Sequence, residues 1–155
     1  MTWYFHNTTE EFTEDKIGNN FGFVYLITHM STGRKYVGKK FFSKAGYKQV
    51  KGKRKKIRKT SDWLEYYGSN KVVQKEVKLG ISFKRTILHL CKTRSECAYW
   101  ETAEIISQCA LIREEYYNDW LMVRVRKDHL KHLIIKSDTH TYEVLKEENH
   151  KEGKT

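Results

Sequence analysis

From residue 22 the chain alternates short apolar runs with polar breaks, and the period of each run predicts an element. "FVYLIT" (23–28) has strand composition, "STGR" (31–34) has turn composition with Gly33 free to take a positive φ, and "KYVGK" (35–39) resumes a strand. These three pieces predict a hairpin. Residues 41–60 show no usable period and read as a basic loop or hairpin arm. "SDWLEYYGS" (61–69) opens on the N-cap candidates Ser61 and Asp62 and predicts a short helix. "NKVVQKEVKLG" (70–80) puts Val72, Val73 and Val77 on one helical face and closes on Gly80. "FKRTILHL" (83–90) predicts a strand with Ile87, Leu88 and Leu90 at its apolar centre.

The longest helix is expected in "TRSECAYWETAEIISQCALI" (93–112), entered at Thr93 or Ser95, with Ala98, Ile105 and Cys109 or Leu111 inward. "WLMVRV" (120–125) predicts a strand or short helix. The resulting fold class is α+β, a small domain whose three-stranded antiparallel sheet is flanked by helices. Its expected limits are 21–120, after an irregular acidic lead-in over 1–20. An extension packed on the domain is expected over 121–145, and a disordered tail over 146–155.

Charge changes this picture more than size does. The chain has 155 residues, enough for one domain with a modest core, and a formal charge of +11. Residues 34–60 hold thirteen Lys or Arg and no Asp or Glu, so the rest of the chain sums to −2. A concentrated run of this kind, interleaved with Phe41, Phe42 and Tyr47, is the electrostatic footprint expected for a polyphosphate partner rather than a solubility charge spread over the surface.

Other classes are disfavoured. No apolar stretch approaches the roughly 18 residues of a membrane span, and the acidic N-terminus is unlike a signal peptide, so a cytoplasmic location is expected. Cys91, Cys97 and Cys109 lack metal-site spacing and are expected as free thiols. His129 and His132 could share a helix face, but without supporting ligands they do not make a metal site.

"FVY" (23–25) and "YVG" (36–38), eleven residues apart tyrosine to tyrosine, resemble the two signature tripeptides of the GIY-YIG nucleases. The order downstream is similar too: a helix of "SNKVVQKEVKLG" type, a strand like "FKRTILHL", a long helix with Glu101 four residues ahead of Ile105, and then "YYN" (116–118). The resemblance spans about residues 21–120 and is nearest in character to small free-standing phage endonucleases. It implies a DNA endonuclease that hydrolyses phosphodiester bonds with one divalent cation per domain, expected to be Mg²⁺, acting as a monomer or as a transient homodimer on DNA.

By the same resemblance Tyr25 would stand near the attacking water, as a phenolate base or a positioning group, with Tyr36 as its hydrogen-bonding neighbour across the hairpin. Glu101 would hold the cation, with Glu104 one turn on as its rival, and Asn118 would brace the site or bind phosphate. The family carries an arginine shortly after the second signature, and no single residue here lines up with it; Arg58 and Arg54 are the candidates. Lys35, Lys39 and Lys40 flank the second signature and could take part of that role. Together with Lys53, Arg54, Lys55, Lys56, Arg58 and Lys59 they are the expected DNA contacts. The competing reading is a nucleic-acid-binding protein that keeps the fold without cleavage.

Overall fold

The structure is a computed structural model, and residues 2–133 are described. Its principal sheet has five strands. They are β1 (Trp3–Phe5), β2 (Glu11–Phe12), β3 (Gly22–His29), β4 (Lys35–Phe41) and β7 (Phe83–Cys91), in the order β2-β1-β7-β3-β4. Two further strands, β5 (Ser43–Val50) and β6 (Lys53–Thr60), pair among the described residues only with each other, as a separate ribbon. The helices are α1 (Lys71–Lys78) and α2 (Arg94–Ser107), with 3-10 turns at Glu14–Lys16 and Lys127–Leu133.

The α+β class agrees with expectation, but the sheet has five strands rather than three, and it is mixed, since β1 runs parallel to β7. The first twenty residues therefore do not form an irregular lead-in. β1 and β2 are too short for any hydrophobic period, yet Trp3, Phe5 and Phe12 are fully buried and the Trp3 indole donates to the Trp63 carbonyl at 2.9 Å. Burial of these aromatics, each removing about 150–250 Å² from water, outweighs the acidic composition around them.

Both sheet faces are covered, because β3 is buried on both sides. Phe23, Tyr25 and Ile27 face a cluster completed by Trp63, Val73 and Tyr117; Val24 faces α2 with Val37, Cys97, Trp100 and Ile105. A β-bulge falls between Val24 and Tyr25. Val24 pairs with His89 and Tyr25 with Ile87, so Leu88 is the extra residue in β7 and the local twist is reset at Tyr25.

The expected helix over 61–69 is absent, and this stretch instead caps the sheet as a turn with Trp63 in the core. The physical reason is Arg85 on β7, 1 % exposed, whose guanidinium donates to the Leu64 and Tyr66 carbonyls at 2.8 and 3.0 Å and so draws off acceptors a helix would use. α1 starts at Asn70, whose side chain accepts from the Val72 and Val73 amides, and of its valines Val73 is the buried one. α2 starts on Thr93, as read from the sequence, but ends at Ser107. Cys97, Trp100, Glu104 and Ile105 point inward, whereas Ala98 is half-buried and Cys109 and Leu111 are exposed.

Residues 120–125 form neither strand nor helix. The three cysteines carry no disulfide. Of the expected extension and tail, residues 134–155 lie outside the described residues.

Candidate active site

β4 is an edge strand of the five-stranded sheet, and its residues 36, 37 and 39–41 line a pocket of about 370 Å³. Tyr25 reaches this pocket from β3. Gly38 sits directly opposite Tyr25 in the ladder, and Tyr36 lies diagonally, its ring centroid 6.3 Å from that of Tyr25. The two tyrosines are thus not a directly opposed pair. The residue between them is glycine for a steric reason: a Cβ at position 38 would lie 2.6 Å from Tyr25 Cζ and still closer to its hydroxyl.

A third tyrosine completes the cluster. Tyr66 packs edge-on to Tyr25 at 6.0 Å, and Gly68, at φ +95°, brings the backbone against both signature rings, with Tyr36 Oη bonded to Ser69 Oγ at 3.2 Å. Only a residue tolerant of positive φ and lacking a Cβ fits there.

Substitution of Gly38 by alanine is expected to destabilise the fold by about 1–3 kcal/mol through overpacking, lowering Tm by several degrees. Differential scanning calorimetry checks it against Gly46→Ala, where the added Cβ would meet only the flexible Lys59 side chain. Equal, small shifts in the two variants would show that Tyr25 can move aside freely.

Tyr25 is 1 % exposed and its phenol is pushed well above the ordinary tyrosine value, first by burial and then by the neighbouring Tyr66 and Tyr36. Burial likewise raises Tyr36 and Tyr66. The cluster therefore holds its protons at neutral pH.

The acidic wall comes from α2. Glu101 lines the pocket and its Oε1 accepts from Lys39 Nζ at 2.6 Å. The rival Glu104 is fully buried further round α2, where it pairs with His89 Nε2 at 2.8 Å and accepts from Gln108 at 2.7 Å. One helical turn separates a pocket carboxylate from a core one.

Asn118 also lines the pocket, but both ends of its amide are used on β4: Oδ1 accepts from the Val37 N–H at 2.9 Å and Nδ2 donates to the Val37 carbonyl at 2.8 Å. With Lys35 bonded through its backbone to Glu115 and Tyr117, residues 115–118 are stitched along the β4 edge. The Asn118 side chain braces the wall and lays residues 119–122 across the pocket, with Trp120 and Met122 exposed at its lip.

The cations fall differently from expectation. Arg54 and Arg58 do not line the pocket; Arg54 stacks on Tyr47 at 3.9 Å and Arg58 donates to Ser43 Oγ through Nε at 3.0 Å and Nη2 at 2.7 Å. Both belong to the ribbon. The pocket's cations are Lys39, Lys40 and Lys44, of which Lys40 pairs with Asp62 at 2.7 Å over the Tyr66 ring. Lys35 sits outside the lining, near Tyr116. His132 bonds Glu96 and His129 accepts from the Arg126 amide, so the two histidines have separate partners.

Tyr66, Ser69 and Lys44 were missed from sequence. The available signal was "YYGS", an aromatic pair before a glycine, directly after the basic run.

Among the described residues no three His, Cys, Asp or Glu side chains cluster as a metal site. The donor chemistry still suits a hard cation that keeps most of its water and substrate oxygens: two carboxylate side chains, Glu101 and Asp119, line the pocket, and Glu101 already attracts a cation, the Lys39 ammonium. No helix among the described residues is long and apolar enough to cross a membrane.

Comparison with known families gives a match to SegE_GIY-YIG, the family of the segE-type GIY-YIG domain, over residues 3–121. No curated protein and no solved structure matches. The match begins at β1 and ends just past Asn118, so it takes in the whole five-stranded sheet, both helices and nearly every wall of the tyrosine-glutamate pocket. The chain belongs to the SegE-type GIY-YIG endonuclease family.

Proposed function

We propose that this protein hydrolyses DNA phosphodiester bonds at the β4-edge pocket with the help of a divalent cation. The observation that carries the reading is the convergence, in one pocket, of a buried tyrosine, two carboxylates (Glu101 and Asp119) and three lysines. In-line hydrolysis requires a positioned water, a cation at the non-bridging oxygens and stabilisation of developing charge.

Glu101 would hold the cation, which when bound would polarise the scissile phosphate and ease departure of the leaving oxygen. Tyr25, kept protonated by burial, orients the attacking water through its hydroxyl, and Tyr36 with Ser69 fixes the ring cluster beside it. Lys40 and Lys44 take the role expected of the family's arginine, as point charges for phosphate. Lys39 neutralises Glu101 in the free protein, and its flexible stem lets the ammonium swing to a phosphate. Asn118 is a positioning residue.

Supercoiled plasmid incubated with the protein, with and without Mg²⁺, tests the reading: conversion to nicked circle only with the metal supports it, and binding without any nicking favours a non-catalytic nucleic-acid binder.

The basic ribbon supplies affinity. Lys48 opposes Lys55 and Lys44 opposes Lys59 in the ladder, an arrangement of like charges that is unfavourable without a counter-anion. Replacing Lys48, Lys53, Lys55 and Lys59 together by Gln should flatten the dependence of log K on log salt, by up to about 0.9 for each phosphate that is no longer neutralised, with Tm unchanged. Fluorescence anisotropy across a salt series measures it, and an unaltered slope would show that the ribbon does not touch phosphate.

A further inference from the structure

The ribbon β5–β6 is more than a patch of charge, because its two faces differ chemically. Alternation along the paired strands places Lys44, Lys48, Lys53, Lys55 and Lys59 on one face, with Ile57 and Val50 among them. The other face carries Tyr47, Gln49, Arg54 and Lys56, with Arg58 nearest the domain. A phosphate clamp needs only the first set. The second contains the residue types that pair bidentately with base edges, Arg with guanine and Gln with adenine.

The geometry supports insertion. Among the described residues the two strands pair with no other strand, and a two-residue loop, Lys51 and Gly52 at φ +48° and +75°, closes the tip tightly. Two strands about 4.8 Å apart with side chains match the major groove, which is about 12 Å wide and admits a two-stranded ribbon.

At the opposite end the root is fixed to the catalytic wall. Ser43, Lys44 and Ser61 line the pocket, Ser61 Oγ donates to the Phe41 carbonyl at 2.6 Å, and Arg58 is held by Ser43. Arg54 is stacked on Tyr47 through its flat face, which leaves its N–H edge for a partner and removes rotamer freedom before binding.

We infer that this ribbon enters the major groove of duplex DNA and reads bases there with Gln49 and Arg54, while the lysine face meets the phosphates of the groove walls. The inference rests on the nuclease reading for its substrate class and adds sequence readout at a fixed offset from the cut. Eight residues per strand at about 3.3 Å each reach roughly 26 Å, so the bases read lie within about eight base pairs on one side of the scissile phosphate. Duplex RNA is disfavoured, since its major groove is too deep and narrow for side chains to read.

The test is selection of bound duplexes from a randomised DNA library without metal, followed by guanine-N7 methylation interference. Interference is expected in one run of up to about eight base pairs. Arg54→Ala and Gln49→Ala should each erase preference at one position, reducing cognate over random binding by about 5- to 150-fold, the loss of one bidentate pairing. Lys48→Gln should weaken all duplexes alike. These residues are exposed, so unchanged Tm in each variant confirms that readout alone was altered.

Absence of N7 interference, or an Arg54→Ala variant that weakens all sequences equally, overturns the inference. Plasmid nicking by the same preparations separates it from the parent reading: cutting without groove interference overturns the ribbon's role alone, and sequence-selective binding without cutting overturns the nuclease alone.

Discussion

Glu101→Gln is expected to abolish Mg²⁺-dependent nicking while leaving DNA binding intact or tighter. Glutamine keeps the size and helix propensity of glutamate but offers a neutral amide oxygen, a far poorer ligand for a hard divalent cation. Loss of the negative charge also frees Lys39, whose ammonium now sits 2.6 Å from the carboxylate, to meet phosphate. Binding measured by anisotropy and nicking measured on plasmid should therefore separate. Glu104→Gln is the informative contrast, because Glu104 is buried against His89 and does not line the pocket. That variant should lose thermal stability yet keep metal-dependent cleavage per folded molecule. Cleavage by Glu101→Gln at the parental rate would remove Glu101 from the chemistry.

Tyr25→Phe should fold normally and cut on the order of 10² times more slowly, the cost of misplacing the attacking water by about 1 Å. The phenyl ring retains its packing against Trp3, Phe23 and Tyr36, so the core is preserved. The pH dependence follows from burial. Because the folded phenol is raised, the parental rate should be flat from about pH 7 to 9 with neutral Tyr25 positioning water; a climb of about tenfold per unit would assign it the phenolate base role instead.

Stability has the same sign. Tyr25, Tyr36 and Tyr66 hold protons more tightly folded than unfolded, so their contribution is fully present below about pH 10, the unfolded value, and is lost as pH rises toward the folded values. Tm should decline in the alkaline range, and less steeply in Tyr25→Phe.

The hairpin β3–β4, the valine-bearing α1, the Thr93 entry to α2 and the basic run were all legible in the sequence, because each is governed by local period, turn chemistry or charge density. Tyr25, Tyr36 and Glu101 were legible through the two signature tripeptides and the spacing that follows them, and they do line one pocket. The ribbon was half legible: its charge was evident, but the lysine and arginine faces separate only once β5 is in register with β6.

What only the tertiary structure decided depends on long-range partners. β1 and β2 exist because Trp3 and Phe12 find Trp63 and Phe42, and Trp63 is available because Arg85 unwinds the segment that carries it. The same segment brings Tyr66 and Gly68 onto the signature tyrosines. No local pattern near Arg85 encodes that outcome. The choice between Glu101 and Glu104 was also tertiary, since the roughly 60° of helix circumference between them matters only relative to a sheet and a pocket whose positions the helix sequence does not contain. The pocket's cations came out as Lys39, Lys40 and Lys44 rather than Arg54 and Arg58 for a topological reason: the ribbon leaves the domain immediately after residue 42, so charge beyond its root is carried away from the pocket.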